Sequence, residues 1–168
     1  MPRFKEIDLK RLSLEPFSLI GDAWMLITAG DVQDYNMMTA SWGGLGVLWN
    51  KPVALCFIRP QRYTFEFAER NEYFSLSFYD EKYRGALTLC GSKSGRDINK
   101  TEATNLTPAF DEPAPYFEEA DLVFVCKKIH SQFLDPKCFI DTSIKKNYNN
   151  GDYHKMYVGK IIKGLKKQ

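Results

Sequence analysis

Apolar and polar positions alternate in short blocks along this chain, most of them closed by Gly, Pro, Asn or Asp. The cleanest block is residues 73–79. Phe74, Leu76 and Phe78 face one way and Ser75 and Ser77 the other, the period of two that a strand imposes. Residues 24–29 form an apolar run stopped by Gly30 and Asp31, and predict a buried strand. Two more strands are predicted over residues 45–49 and 53–59, joined by a tight turn at Asn50, Lys51 and Pro52. A long strand is expected over residues 122–130, another starts near Phe139, and residues 154–163 make the last.

Helical spacing is rarer. Thr64 can cap a short helix running to Arg70, with Asn71 as its stop. Asp80 can cap a second, in which Tyr83, Ala86, Leu87 and Cys90 recur at i, i+3, i+4 and i+7 before Gly91. Asp97 can cap a third toward Ala103, and residues 111–121, acidic and holding two prolines, read as a surface connection. The connections between most strands are too short for crossover helices. Seven or eight strands with three short helices therefore predict a mainly β protein, an antiparallel barrel closed or nearly closed so that few strand edges are exposed. Without repeats, low-complexity stretches or a composition shift, residues 1–168 read as a single domain.

Composition narrows the function. At 44% apolar and 26% charged residues, the chain is neither disordered nor of a membrane class. No run approaches the roughly 18 apolar residues of a membrane span, and the first dozen residues lack a signal-peptide core. Four cysteines without a CxxC pair suit a reducing, cytoplasmic setting, where they act as small core residues. A net charge of only +2 argues against a nucleic-acid partner, although basic loops on a barrel keep an oligonucleotide-binding alternative in view.

Candidate chemistry gathers around residues 36–64. At its start, Asn36, Thr39, Ala40, Ser41 and Trp42 set amide and hydroxyl groups beside a large ring. At its end, Arg59, Gln61, Arg62 and Thr64 surround a proline turn. A second polar loop holds Ser92, Lys93, Ser94 and Arg96. Arginines, a lysine and glycine-loop amides suit a phosphate monoester, against the alternative that each cation only aids solubility. Cys126, His130, Cys138 and His154 could supply four metal-ligand types, but Cys126 and His130 lie four apart on an expected strand and no knuckle is present, so no metal is expected. There is no G-x-S-x-G elbow, P-loop or G-x-G-x-x-G turn.

Four segments taken together, 36–43, 59–64, 90–100 and 151–161, resemble the flavin reductase-like family over roughly residues 17–162. The resemblance implies an FMN-binding split β-barrel and a homodimer. It implies that Thr39, Ala40, Ser41 and Trp42 follow the isoalloxazine and ribityl chain, and that Arg59, Gln61, Arg62, Thr64, Ser92, Lys93 and Ser94 hold the ribityl and phosphate end. Activity would be that of an NAD(P)H-dependent flavin reductase, or of a flavin-binding electron carrier that oxidises no nicotinamide. His154 matches a Gly-Asp-His histidine at the nicotinamide side of related reductases, except that Tyr153 intervenes here. The other reading of His154 is a tether for the last strand.

Overall fold

The computed structural model describes residues 4–168. In chain order its elements are β1 (Phe4–Glu6), α1 (Pro16–Gly21), β2 (Met25–Gly30), β3 (Tyr35–Ala40), β4 (Gly43–Leu48), β5 (Lys51–Ile58), α2 (Tyr63–Arg70), β6 (Tyr73–Phe78), α3 (Arg84–Ser92), α4 (Lys100–Thr104), β7 (Pro108–Ala109), β8 (Tyr116–Phe117), β9 (Leu122–Phe133) and β10 (Lys155–Lys167). All ladders between these strands are antiparallel. The main sheet runs β3-β2-β6-β9-β10-β5-β4, with β1 added on β10. β3 and β4 stand at opposite ends of that order, yet only Ser41 and Trp42 separate them in sequence. The sheet therefore wraps round until its two ends meet, and among the described residues no ladder closes the gap. The result is a split barrel.

Strand alternation sorts the apolar residues into two cores. Met25, Ile27, Ile58, Phe74, Leu76, Phe78, Phe124 and Tyr157 fill the barrel interior. Leu26, Met37, Leu87, Cys90, Phe117, Val123 and Val125 pack on its outer face beneath α3 and β8. Burial on both faces explains why residues 24–29 read as one continuous apolar run. Ser75 and Ser77 lie on the outer face but are buried, and the Ser75 hydroxyl donates to the Pro115 carbonyl at 2.5 Å. The acidic stretch 111–121 is therefore not a surface connection. Its Ala114, Tyr116, Phe117 and Ala120 are buried as a cover over β6 and β9.

Other expectations shift for local reasons. The hairpin turn is Trp49 and Asn50, both in left-handed backbone (φ 51 and 55), so Lys51 and Pro52 already belong to β5. The helix expected from Thr64 is α2 and starts from Arg62, because the Thr64 hydroxyl is used inside the fold, and Asn99 rather than Asp97 caps α4. No strand starts near Phe139. Asp135 and Asp141 each cap a short 3-10 turn, Pro136–Cys138 and Thr142–Asn147, which breaks any extended run. His154 sits one residue ahead of β10. At Gly159 the register slips, and a Cβ there would lie 2.5 Å from the Phe74 ring and 2.7 Å from the Cys126 Cβ. Among the described residues no helix is long and apolar enough to cross a membrane.

Candidate functional site

The polar stretch at residues 36–40 is not a loop but strand β3, and its polar side chains fasten it to the helices behind. Asn36 is buried and donates from Nδ2 to the Thr64 hydroxyl on α2 at 2.7 Å. Thr39 donates its hydroxyl to the Leu87 carbonyl on α3. Gly91 lets α3 come close, since a Cβ there would stand 3.3 Å from that of Thr39. Lys100 completes the clamp, with Nζ bonded to the carbonyls of Met37 at 2.8 Å and Cys90 at 3.0 Å. Burial, with the nearby Arg62 charge, pulls the Lys100 ammonium down to about 8, partly offset by Cys90.

Arg62 reaches the same helix end. Its Nη1 donates to the Gly91 carbonyl at 3.0 Å and its Nη2 to that of Cys90 at 3.4 Å. Two cations thus satisfy the carbonyl end of α3, where the helix dipole is negative. Beside it lies the second polar loop. Ser92 donates to the Leu89 carbonyl, the Ser94 hydroxyl accepts from the Arg96 amide, and Arg96 is neutralised by Glu66 while stacking on Tyr63. Lys93 is exposed, and among the described residues its ammonium has no partner.

Between β3, β5 and the start of β10 opens a cleft of about 210 Å³. Met38, Ala40 and Phe57 give it an apolar floor, and Ser41, Trp42, Arg59, Arg62 and His154 form its rim. Trp42 is 48% exposed, and its ring centroid lies 5.1 Å from that of His154. His154 is buried, with Nδ1 2.8 Å from the Tyr148 hydroxyl. Burial, aided by the Arg59 charge, lowers the imidazole to about 4, so it is neutral near pH 7.

Arg59 is committed to the segment between β9 and β10. It donates from Nη1 to Asp152 at 2.6 Å and from Nη2 to the Asn147 carbonyl at 2.8 Å, and lies over the Tyr148 ring. Gln61 donates to the same Asp152 oxygen at 2.6 Å. These bonds, Arg59 first, hold the Asp152 carboxyl below the usual range.

The residues singled out in the sequence fall into three groups. Thr39, Ala40, Ser41, Trp42, Arg59, Arg62 and His154 surround the cleft. Ser92 ends α3, and Lys93 and Ser94 open the loop that follows it, beside the Gly91 carbonyl held by Arg62. Gln61 and the fully buried Thr64 act as struts. Tyr148, Asp152 and Lys100 went unnoticed as site residues. Cys126, His130, Cys138 and His154 are not brought together, and among the described residues no cluster of three or more metal-ligating side chains occurs.

FMN fits this donor set. An apolar floor beside a half-exposed indole and a neutral imidazole suits a flat ring system. The remaining N–H groups of Arg62 suit a phosphate, and Lys93 lies two residues past the Gly91 carbonyl that Arg62 holds.

The sequence matches the flavin reductase like domain over residues 17–166. Flavoredoxin from Methanosarcina acetivorans aligns with a TM-score of 0.68 at 22% identity, over 87% of this chain and 69% of its own. An FMN-binding domain of a flavin reductases-like enzyme from Shewanella baltica gives 0.70 at 15% identity, over 98% and 77%. A NADH:FAD oxidoreductase from Streptomyces globisporus gives 0.63 at 14% identity, over 86% and 75%. No curated protein matches the sequence.

Proposed function

This chain belongs to the flavin reductase-like family, and from that premise we propose that it binds FMN in the cleft beside Trp42 and accepts electrons from NADH or NADPH. The observation that carries this reading is the mixed lining of the cleft. Met38, Ala40 and Phe57 are apolar and stand with Trp42 and an uncharged His154. Arg62 brings a cation to the same lining, and Lys93, whose ammonium has no partner among the described residues, lies two residues past the Gly91 carbonyl that Arg62 holds.

FMN supplies the redox chemistry when bound, so the protein needs no side-chain acid or base of its own. Ala40, Ser41 and Trp42 line the ring edge, and Arg62, Lys93, Ser92 and Ser94 take the phosphate. Thr39, Thr64, Gln61 and Arg59 hold these walls in place through the bonds described above. His154 orients the incoming nicotinamide, a task of placement that hydride transfer makes steep in distance.

A cleft of about 210 Å³ is small beside the roughly 300–1,000 Å³ of ordinary ligand pockets. A second copy of the chain supplies the missing wall in this reading. Trp42, Val47 and Trp49, exposed near or on the β4–β5 hairpin, support that homodimer. The four cysteines are free thiols, which supports a reducing, cytoplasmic setting. The likeness to a flavoredoxin favours one other reading, an electron carrier that takes electrons from a protein and not from a nicotinamide.

The test is to load the protein with FMN and follow its visible absorbance, without oxygen, on adding NADH or NADPH. Loss of absorbance is expected. Stable FMN binding without such loss would overturn the reductase reading in favour of the carrier, and failure to bind FMN would overturn both.

A further inference from the structure

The phenol of Tyr148 is buried and has no part in the function proposed above. It belongs to the irregular segment between β9 and β10, where Phe139, Tyr148 and Tyr153 pack ring against ring. Tyr148 and His154 are both buried, their rings stand edge to face, and the hydroxyl lies 2.8 Å from Nδ1. A neutral imidazole carries one N–H and one bare nitrogen, and the hydrogen bond at one nitrogen decides which is which.

The Tyr148 hydroxyl can either donate to Nδ1 or accept from it. If it only accepted, its own proton would be buried without an acceptor, because among the described residues the hydroxyl bonds to no side chain or carbonyl other than His154. An unspent buried donor is costly.

We propose that Tyr148 is a positioning residue that donates its phenolic proton to Nδ1 of His154, fixing the neutral ring as the Nε2–H form with that N–H turned to the cleft. Among the described residues Nε2 has no hydrogen-bond partner, and it lies on the far side of the ring from Tyr148. The cleft therefore offers a donor at this point. The substrate group it takes is an acceptor, a carbonyl or carboxamide oxygen. Arg59 supports the arrangement from behind, lying over the Tyr148 ring while bonded to Asn147 and Asp152. Its charge also opposes protonation of the imidazole, which keeps the single N–H meaningful. The consequence for catalysis, though not the tautomer itself, rests on the nicotinamide reading of the cleft.

The chain has only two histidines, so nitrogen-15 imidazole spectra of the full-length FMN-loaded protein can be assigned with one His130→Gln control. At pH 7 the parent is expected to show His154 with a bare Nδ1 and a protonated Nε2. Tyr148→Phe, which keeps the ring cluster, should shift both signals toward the average of two exchanging tautomers. It should raise the KM for the nicotinamide about twofold, since about half of the rings would no longer present the Nε2–H, with FMN affinity unchanged. A parent spectrum with protonated Nδ1, or a Tyr148→Phe spectrum identical to the parent's, would overturn the proposal while leaving the FMN reading intact. The expected spectrum in a protein that no nicotinamide reduces would do the reverse.

Discussion

Arg59 and Asp152, 93 positions apart in sequence, meet at 2.6 Å on the rim of the cleft. Through this pair a strand end (Arg59 follows β5) holds the irregular segment that delivers Tyr148 and His154. The pair is pH-dependent in a definite sense. The Asp152 carboxyl is held below its ordinary range in the folded protein, so its contribution is present above the usual carboxylate pKa. That contribution is lost as pH falls through the lower, folded value. Asp152→Asn should expose residues 134–153 to proteolysis at pH 7, whereas the parent should show comparable cleavage only in acid. Limited digestion at both pH values checks this, and equal cleavage of both proteins at pH 7 would contradict it.

Lys93 gives the cleanest test of the phosphate end, because no bond within the described fold is lost with it. Lys93→Ala should weaken FMN by about 10- to 150-fold, the effect of about 1.5–3 kcal/mol for a charged hydrogen bond, and leave riboflavin affinity nearly unchanged. Arg62→Ala should do the same and also lower stability, since the Gly91 and Cys90 carbonyls lose a donor. Fluorescence titration with both flavins separates the two effects.

For His154, substitution by Ala should slow flavin reduction by NAD(P)H about 10- to 100-fold, with FMN affinity within a few-fold of the parent. A residue that merely tethered β10 would lower Tm and leave nicotinamide kinetics alone. The depressed imidazole pKa also has a stability sign. Between its ordinary value of 6.5 and its folded value of about 4, the unfolded chain takes up a proton that the folded protein refuses. This group therefore costs stability as pH falls through that window, and the cost should vanish in His154→Ala. Denaturation series at pH 7 and pH 5 on both proteins measure it.

Lys100→Met should destabilise the protein by about 1–3 kcal/mol, by removing the Nζ donor from the Met37 and Cys90 carbonyls, the second of which keeps only its longer bond from Arg62. The parent should carry a compensating trend. With its ammonium lowered to about 8 from 10.5, folding disfavours the charged form, so this penalty is relieved as pH rises from about 8 toward 10.5. Urea midpoints across that range, parent beside mutant, should diverge in that direction. Parallel curves would show that Lys100 is not held in the buried position seen here.

Period and burial made the barrel legible from sequence where side chains face consistent surroundings. The runs at 73–79 and 122–130 became β6 and most of β9. β3 escaped because its polar residues do not mark solvent. Asn36 and Thr39 are spent on α2 and α3, partners 28 and 48 positions away that local pattern cannot display. The expected strand near Phe139 failed for a readable reason, the capping aspartates at 135 and 141. Trp42, Arg62 and His154, which line the cleft, stand out in the sequence by residue type and resemblance. Tyr148 carried no signal, since its role depends on an irregular segment folding back six residues onto His154.

The meeting of β3 and β4 at the two ends of the sheet order has a kinetic consequence. The chain itself keeps β3 and β4 adjacent, but every intervening ladder has to form before both sit in one sheet, including the pairing of β10 with both β9 and β5. Such non-local pairings bear the loop-closure cost first and form slowly. The cleft draws on positions from Met38 to His154 and lies at that seam, so it exists only in the finished molecule. Capture of a coloured cofactor during refolding should then coincide with the slowest phase, and the dye-like absorbance of the bound ring would serve as a clock for the completion of the barrel.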